Sequence, residues 1–197
     1  FLVDTSAEGV AVSSYNTMDS HSSSTINLEN VFVTEANLIV DEGEGFRHIE
    51  SCLPQILLCL SAEALGIMEV LNRLTVEYSK TRKQFGAPIG SFQALQHRMV
   101  DNFMAFEQSK SMVYRGICES TSFNKNDIDI NQFLKTAHAV KALIAKNSKQ
   151  IGDESIQIHG GIGMTDELNI GHFVKRLMMI NVLFGDGDFH RQCFSQN

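Results

Sequence analysis

Two short segments carry residue types that could bind a phosphate-containing ligand. The first is "KTRKQFG", residues 80–86, which gathers three cations around Arg82 in a chain of net charge −7. An arginine offers a planar fork of donors that suits a pyrophosphate, and Phe85 offers an apolar wall for a ring. The alternative without a ligand is that the cations compensate the dipole at the C-terminus of a helix, and that Gly86 ends this helix. The segment alone leaves both interpretations open.

The second segment is "QIHGGIGMTDE", residues 157–167. Its three glycines over four positions leave backbone N–H groups open to close approach by a ligand, and Gln157 adds an amide that can donate and accept. A glycine pair also caps the end of a helix without any ligand. This segment therefore indicates either a ligand cradle or a helix cap.

Other chemistries are not indicated by the sequence. No glutamate is followed three residues later by a histidine, which a di-iron site in a helical bundle would need. The four cysteines form no CxxC pair, and the motifs GxSxG, HExxH and GxxxxGK[ST] do not occur. We therefore expect no metal site and reduced thiols.

Composition narrows the class of protein. The net charge of −7 argues against an extended nucleic-acid surface, which needs a stripe of lysine and arginine. A hydrophobic fraction of 43% with 20% charged residues is ordinary for a soluble globular protein. No uninterrupted apolar run approaches the roughly 20 residues that span a bilayer. We expect a cytoplasmic protein that binds neither nucleic acid nor a membrane.

The elements that must position the two segments fall into two regions. Up to about residue 42, the stretches "FLVDTS", "GVAVSSY" and "STINLENVFV" show alternating or β-branched residues and predict a half-buried antiparallel sheet. From residue 43 the hydrophobic period changes to 3.6. Long helices joined by short turns favour an antiparallel arrangement. The predicted fold class is therefore mainly α, an antiparallel helical bundle preceded by a few antiparallel β-strands.

Five helices are expected in the second region. One covers 54–80 and begins at Pro54, where a missing N–H is harmless. Shorter helices are expected over 169–180 and after Gly187. The two remaining long helices are predicted from apolar stripes, which we expect to be buried: Phe92, Leu95, Met99, Phe103, Phe106, Val113 and Ile117, and then Phe133, Ala137, Val140, Ile144, Ser148 and Ile151.

Taken in this order, "TRKQFG", "SFQALQHRMVD", "QIHGGIGMTDE" and "FVKRL" resemble the C-terminal helical domain of the acyl-CoA dehydrogenase family. "INLENVFVTEANLI" resembles the end of that family's middle β domain. The resemblance implies two domains, residues 1–42 as the C-terminal part of the β domain and 43–197 as the α-helical bundle domain. It also implies an FAD flavoprotein that oxidises the α,β bond of an acyl-CoA and passes electrons to an electron-transfer flavoprotein.

The resemblance also implies an assembly. In this family the first segment reaches across a subunit interface to a neighbour's FAD, with the arginine at the pyrophosphate, and the second lies along the adenosine end. We therefore expect a homodimer, a homotetramer or a heteromer with a related chain. The family's N-terminal helical domain has no counterpart here, so we expect the 197 residues alone to be inactive. The implied cofactor contacts are Arg82, Gln84, Phe85, Gln93, Gln157, Gly160 and Gly161.

The catalytic base is where the sequence departs from the family pattern. Most members carry a glutamate and then a glycine where this chain has Phe184 and Gly185, and the alternative position on an earlier helix falls near Ile56 and Leu57. Asp186 follows in "FGDGD", which resembles the small-subunit type of the family. We expect Asp186 to be the base and its two predecessors to contact substrate. Two alternatives stay open: the aspartate only caps the last helix, or the base lies on a partner chain.

Overall fold

The computed structural model describes residues 1–125 and 127–196, and the chain forms two compact units, Phe1–Cys52 and Leu53–Asn197. The first unit holds an antiparallel hairpin of strands β1 (Val10–Asn16) and β2 (Ser22–Leu28). The second unit is helical. The fold prediction, a helical bundle preceded by a few antiparallel strands, is confirmed.

The predicted sheet is smaller and more exposed than its sequence pattern indicated. The first stretch forms a turn instead of a strand, because the Asp4 carboxylate accepts hydrogen bonds from the backbone and side chain of Ser6. The third stretch leaves the sheet after Leu28, and Phe32 is 85% exposed. Nearly all residues of β1 and β2 are exposed, so the prediction of a half-buried sheet is wrong for this hairpin. Two strands offer no second layer to bury a face against.

Among its described residues the helical unit holds one small hairpin and five helices, the first of which begins in the last residues of the first unit. The short strands β3 (Lys83–Gln84) and β4 (Ala87–Pro88) pair between the first two helices. Short 3-10 helices occur at Ile89–Ser91 and Gly160–Met164. The helices are α1 (Gly45–Thr81), α2 (Gln93–Asn124), α3 (Ile130–His159), α4 (Ile170–Val182) and α5 (Gly187–Gln196).

Helix α1 begins earlier than predicted. It starts at Gly45, so Pro54 lies inside the helix and not at its first turn. A proline there removes one backbone hydrogen bond, and the division between the two compact units falls close by, between Cys52 and Leu53. The residues before Pro54 are compatible with a helix, which extends through the proline.

By length and composition alone, α1 is apolar enough to cross a bilayer, with an 18-residue window of mean hydropathy 1.5. An uninterrupted apolar run was the expected signal of a membrane span, so this property of α1 was not predicted from the sequence. Isolated polar residues interrupt such a run but lower the mean hydropathy of the window only slightly. A core helix of a soluble protein can have the same length and composition. In the helical unit, α1 buries Leu57, Ala64, Met68 and Leu71 completely.

Neighbouring helices run antiparallel. Asn147 of α3 donates to the Ala105 carbonyl of α2 at 3.0 Å, and further along α2 a Cβ on Gly116 would lie 3.3 Å from Val140. The contacts move forward along one helix as they move backward along the other. The same virtual Cβ would lie 2.7 Å from Leu58 of α1, so the lack of a side chain at Gly116 lets α1, α2 and α3 pack closely at this point.

The core confirms one predicted stripe and corrects the other. All the predicted residues of α3 are buried, with Phe133 and Ile151 fully so. On α2, Phe106 and Val113 are buried, but Phe103 is 58% and Ile117 46% exposed. The face of α2 that packs inward is centred on small and polar residues instead: Asn102, Ala105, Ser109 and Gly116.

Candidate functional site

The first predicted segment forms a two-residue hairpin turn directly after α1. Phe85 and Gly86 occupy the turn between β3 and β4, with φ of 55° and 80°. Two consecutive positive φ values are typical of the primed turns that match strand twist. Glycine adopts this backbone freely, but a phenylalanine does so at a cost. The ring is 94% exposed and makes an edge contact with Phe92, at 6.2 Å between centroids.

The second predicted segment ends α3 and continues as a 3-10 helix. Gly160 caps α3, and its backbone N–H donates to the Ile156 carbonyl. The cap interpretation is therefore correct, and it does not exclude a ligand. A Cβ on Gly160 or Gly161 would meet no other atom within 4 Å, so the backbone at both glycines faces open space.

The two segments meet around one cavity of about 360 Å³. The end of α1 is fastened to the end of α3 by Tyr78, whose ring stacks on His159 at 4.4 Å between centroids. The Tyr78 hydroxyl also donates to the His159 carbonyl at 3.3 Å. Six of the seven predicted cofactor contacts line this cavity: Arg82, Gln84, Phe85, Gln157, Gly160 and Gly161. Gln93, the first residue of α2, is not among the lining residues.

Two arginines line the cavity, and one of them is already paired with a carboxylate. Arg98 donates to Glu154 at 2.5 Å, and that hydrogen bond raises the pKa of Arg98. Arg82 is exposed and forms no ion pair within residues 1–125 and 127–196. Of the neighbouring cations, Lys80 is paired with Glu77 at 2.7 Å. The arrangement can bind an anion at Arg82 while Arg98 keeps its carboxylate.

The predicted base lies on a separate loop, between α4 and α5. Asp186 is exposed, and its Oδ1 accepts from the Phe189 backbone N–H at 2.8 Å, which caps α5. Gly185 has φ of 108° and Phe184 has φ of 58°. The Phe184 side chain is 52% exposed. The capping role is therefore present in the structure, while the catalytic role of Asp186 stays a prediction.

A buried cation beneath this loop was missed by the sequence analysis. Lys141 is fully buried, and its Nζ donates to the carbonyls of Gly185 at 3.1 Å and Asn181 at 3.2 Å. Burial lowers the pKa of Lys141 from 10.5 to about 8, although the charge of Asp186 opposes this. The sequence held a signal, because Lys141 stands four residues after Ala137 and so falls on the buried stripe of α3.

Two buried histidines lie next to this lysine. The Nδ1 atoms of His138 and His190 are 2.7 Å apart, so they share one proton between them. Burial, followed by the charge of Lys141 and the neighbouring His138, lowers the pKa of His190 to about 4. Burial also lowers the pKa of His138. The pair is therefore neutral at neutral pH and tolerates the adjacent ammonium group.

Comparison with known proteins identifies a family that shares the sequence of the helical region. The family sequence model described as the acyl-CoA dehydrogenase C-terminal domain matches residues 43–197. The chain belongs to the acyl-CoA dehydrogenase family. The resemblance of the four motifs is thereby confirmed, whereas the likeness to the small-subunit type stays a prediction.

Individual relatives within the acyl-CoA dehydrogenase family show how much of a whole protein this chain represents. The short-chain specific acyl-CoA dehydrogenase of Megasphaera elsdenii is 28% identical over 87% of this chain and 43% of its own length. Acyl-CoA dehydrogenase IpdE2 of Mycolicibacterium smegmatis is 40% identical over 60% of this chain and 34% of its own. The solved structure of PigA with FAD and proline covers 98% of this chain at 25% identity, with a TM-score of 0.86. The chain spans half of the PigA chain.

Proposed function

We propose that this chain is the C-terminal half of an FAD-dependent acyl-CoA dehydrogenase that oxidises the α,β bond of an acyl-CoA thioester. The observation that carries the proposal is the single cavity into which the family's two cofactor motifs converge. The solved structure of PigA contains FAD and shares this fold. The whole protein's substrate would be an acyl-CoA, and its electron acceptor an electron-transfer flavoprotein.

The residues that line the cavity fit a dinucleotide. Arg82 has no competing carboxylate and can donate to a pyrophosphate, and the exposed Phe85 ring can pack against a flat ring system. Side chains at Gly160 or Gly161 would project into open space that the ligand needs. When bound, the flavin would supply the hydride acceptor of the reaction. The same residues are exposed in one chain, which is what a site completed by a neighbouring subunit requires.

The Arg82 assignment is tested by removing the donor fork. Arg82→Gln in the full-length protein should lower FAD affinity by about 10- to 100-fold, because a charge-assisted bidentate contact contributes roughly 1.5–3 kcal/mol. Lys83→Gln is the matched control, since Lys83 is an adjacent exposed cation outside the cavity lining. Flavin fluorescence titration gives both affinities. Equal affinities for the two variants would contradict the assignment.

For the chemical step we propose that Asp186 removes the proton from the carbon α to the thioester carbonyl. Phe184 and Gly185 would contact the acyl group from the same loop. The Phe189 N–H donates to Oδ1 of Asp186. Because this carboxylate is exposed, its Oδ2 remains able to accept a proton. Lys141 donates to the Gly185 carbonyl of this loop and would thereby position the adjacent Asp186 for proton removal.

The capping geometry makes Asp186→Asn a sharp test of this role. Asparagine caps a helix about as well as aspartate, so the variant keeps the fold of the loop and loses only the base. We expect bound FAD that acyl-CoA no longer bleaches under anaerobic conditions. The control Asp188→Asn, which removes an exposed carboxylate paired with Arg191, should bleach at the parental rate. Parental bleaching by Asp186→Asn would eliminate Asp186 as the base.

A second candidate function is a non-catalytic subunit that clamps a neighbour's FAD in a heteromer. Two observations favour it: Asp186 is already used as a cap, and the family's base position holds the apolar Phe184. The discriminating measurement is an anaerobic titration of the full-length protein, purified alone and with FAD, against a panel of acyl-CoAs. Bleaching establishes a self-sufficient dehydrogenase. Bound flavin that no acyl-CoA bleaches favours the clamping role.

A further inference from the structure

The cavity floor contains a histidine that the family motifs did not single out. His159 is the last residue of α3, lines the cavity and is only 6% exposed. Its Nδ1 lies 2.8 Å from the Ser155 carbonyl oxygen. A carbonyl oxygen can only accept a hydrogen bond, so Nδ1 carries a proton.

This contact decides what the other ring nitrogen can do. Burial lowers the pKa of His159, although the Ser155 hydrogen bond opposes this, so the ring is neutral at neutral pH. With Nδ1 protonated in a neutral ring, Nε2 has a lone pair and no proton. Nε2 has no hydrogen-bond partner among the residues that the structure describes, so the acceptor is free for a ligand.

The ring is also confined. The ring stacks on Tyr78 at 4.4 Å between centroids. A Cβ on Gly163 would lie 3.0 Å from the His159 Cβ, so the 3-10 helix packs closely against the start of the His159 side chain. A fixed acceptor discriminates between ligands, because a ligand without a donor leaves a buried polar atom unpaired. The arginines of the cavity, by contrast, offer only donors and suit phosphate oxygens.

We propose that Nε2 of His159 accepts a hydrogen bond from a donor on the nucleoside end of the dinucleotide, and that His159 thereby selects that nucleoside. The donor is an N–H or O–H group, either the adenine amino group or a ribose hydroxyl. The inference rests on the proposed FAD site and adds a residue that sets its specificity.

The test uses competition between FAD and analogues that lack one donor. The full-length protein is freed of flavin and reconstituted with equimolar FAD and an analogue carrying purine riboside, 2′-deoxyadenosine or 3′-deoxyadenosine in place of adenosine. Mass analysis of the released flavin gives the bound ratio. We expect the wild type to prefer FAD by about three- to tenfold over one analogue, as one hydrogen bond implies. The analogue that is discriminated against identifies the donor.

Two variants separate recognition from structure. His159→Phe keeps a ring that can stack on Tyr78 but removes the acceptor, and it should bind FAD and the analogue equally. His159→Gln supplies an amide oxygen as acceptor and should restore the preference. A merely structural role for His159 would weaken FAD and analogue alike and leave the ratio unchanged.

The outcomes distinguish this inference from the proposed function. A wild type that retains FAD but shows no preference, or a preference that His159→Phe leaves intact, overturns the inference alone. A wild type that retains neither FAD nor any analogue overturns the inference together with the proposed FAD site.

Discussion

Replacing Lys141 by methionine should remove a pH dependence of stability that one buried ammonium group produces. Burial lowers the pKa of Lys141 from 10.5 to about 8. Between these values the unfolded chain holds a proton that the folded chain has released, so stability rises as pH increases from 8 to 10.5. At about 1.4 kcal/mol per pH unit, the rise is about 3 kcal/mol. Below pH 8 both states are protonated, and the full cost of the buried charge is present.

The assay is urea unfolding followed by circular dichroism at a series of pH values from 7 to 10.5. Other lysines and the tyrosines titrate in this range too, so the informative quantity is the wild-type stability minus that of Lys141→Met. We expect this difference to change by about 3 kcal/mol across the series. The methionine variant loses the hydrogen bonds to two carbonyls, which shifts its stability by an amount that does not depend on pH.

Lys149→Met is the matched control on the same helix. The Lys149 side chain is 70% exposed and pairs with Asp153 at 2.6 Å, a pair that should contribute at most about 1 kcal/mol at any of these pH values. The reasoning is refuted if the difference between wild type and Lys141→Met stays constant from pH 7 to 10.5. That result would mean that the ammonium group is solvated in the folded protein.

Three further predictions follow from local geometry. Gly160→Ala should lower the free energy of unfolding by about 1–3 kcal/mol because φ is 68° and ψ is −147°, while Gly161→Ala, without a positive φ, should lower it far less; thermal unfolding compares them. Phe85→Asn should raise stability by up to about 1 kcal/mol, since asparagine tolerates positive φ, and reduce flavin occupancy of the full-length protein. Stability should fall as pH drops from 6.5 to about 4, where the unfolded chain binds a proton that folded His190 rejects, and acid titration of His190→Gln should show a shallower fall.

The sequence was sufficient for the helices whose apolar period is uninterrupted. The stripe on α3 predicts its buried face correctly, because each predicted stripe residue from Phe133 to Ile151 is buried. It was insufficient where helix boundaries depend on tertiary context. Pro54 is a sound local signal for a helix start, yet α1 extends through it. On α2 the buried face includes small residues such as Gly116, which pack closely against α1 and α3 and carry no hydrophobic signal.

The candidate site divides in the same way. The family resemblance implied that Arg82, Phe85 and Gly160 contact one cofactor. All three line one cavity, because the ends of α1 and α3 meet at Tyr78 and His159. The polar groups underneath were missed. Lys141 falls on the buried stripe of α3, but the helical period does not say whether the charged end of such a lysine is buried or reaches solvent. Lys141 of α3 and His190 of α5 become neighbours only when α3, α4 and α5 pack together.

The same kind of backbone strain occurs at the cavity and in the loop of the proposed base. Within the described part of the helical unit, the non-glycine residues with positive φ are Phe85 and Phe184, at 55° and 58°. Such a backbone costs a bulky residue roughly 1 kcal/mol, and both rings are at least half exposed, so burial within this chain does not offset the cost. Within the described residues the Phe85 ring makes an edge contact with Phe92, and most of Phe85 and half of Phe184 stay open to a further partner. The proposed cofactor would be that partner for Phe85, and the proposed acyl substrate would be that partner for Phe184. Beside position 184, Lys141 holds the loop through the Gly185 carbonyl, a contact that does not involve the side chain at 184. The loop can therefore keep the same anchor with a glutamate or a phenylalanine at that position.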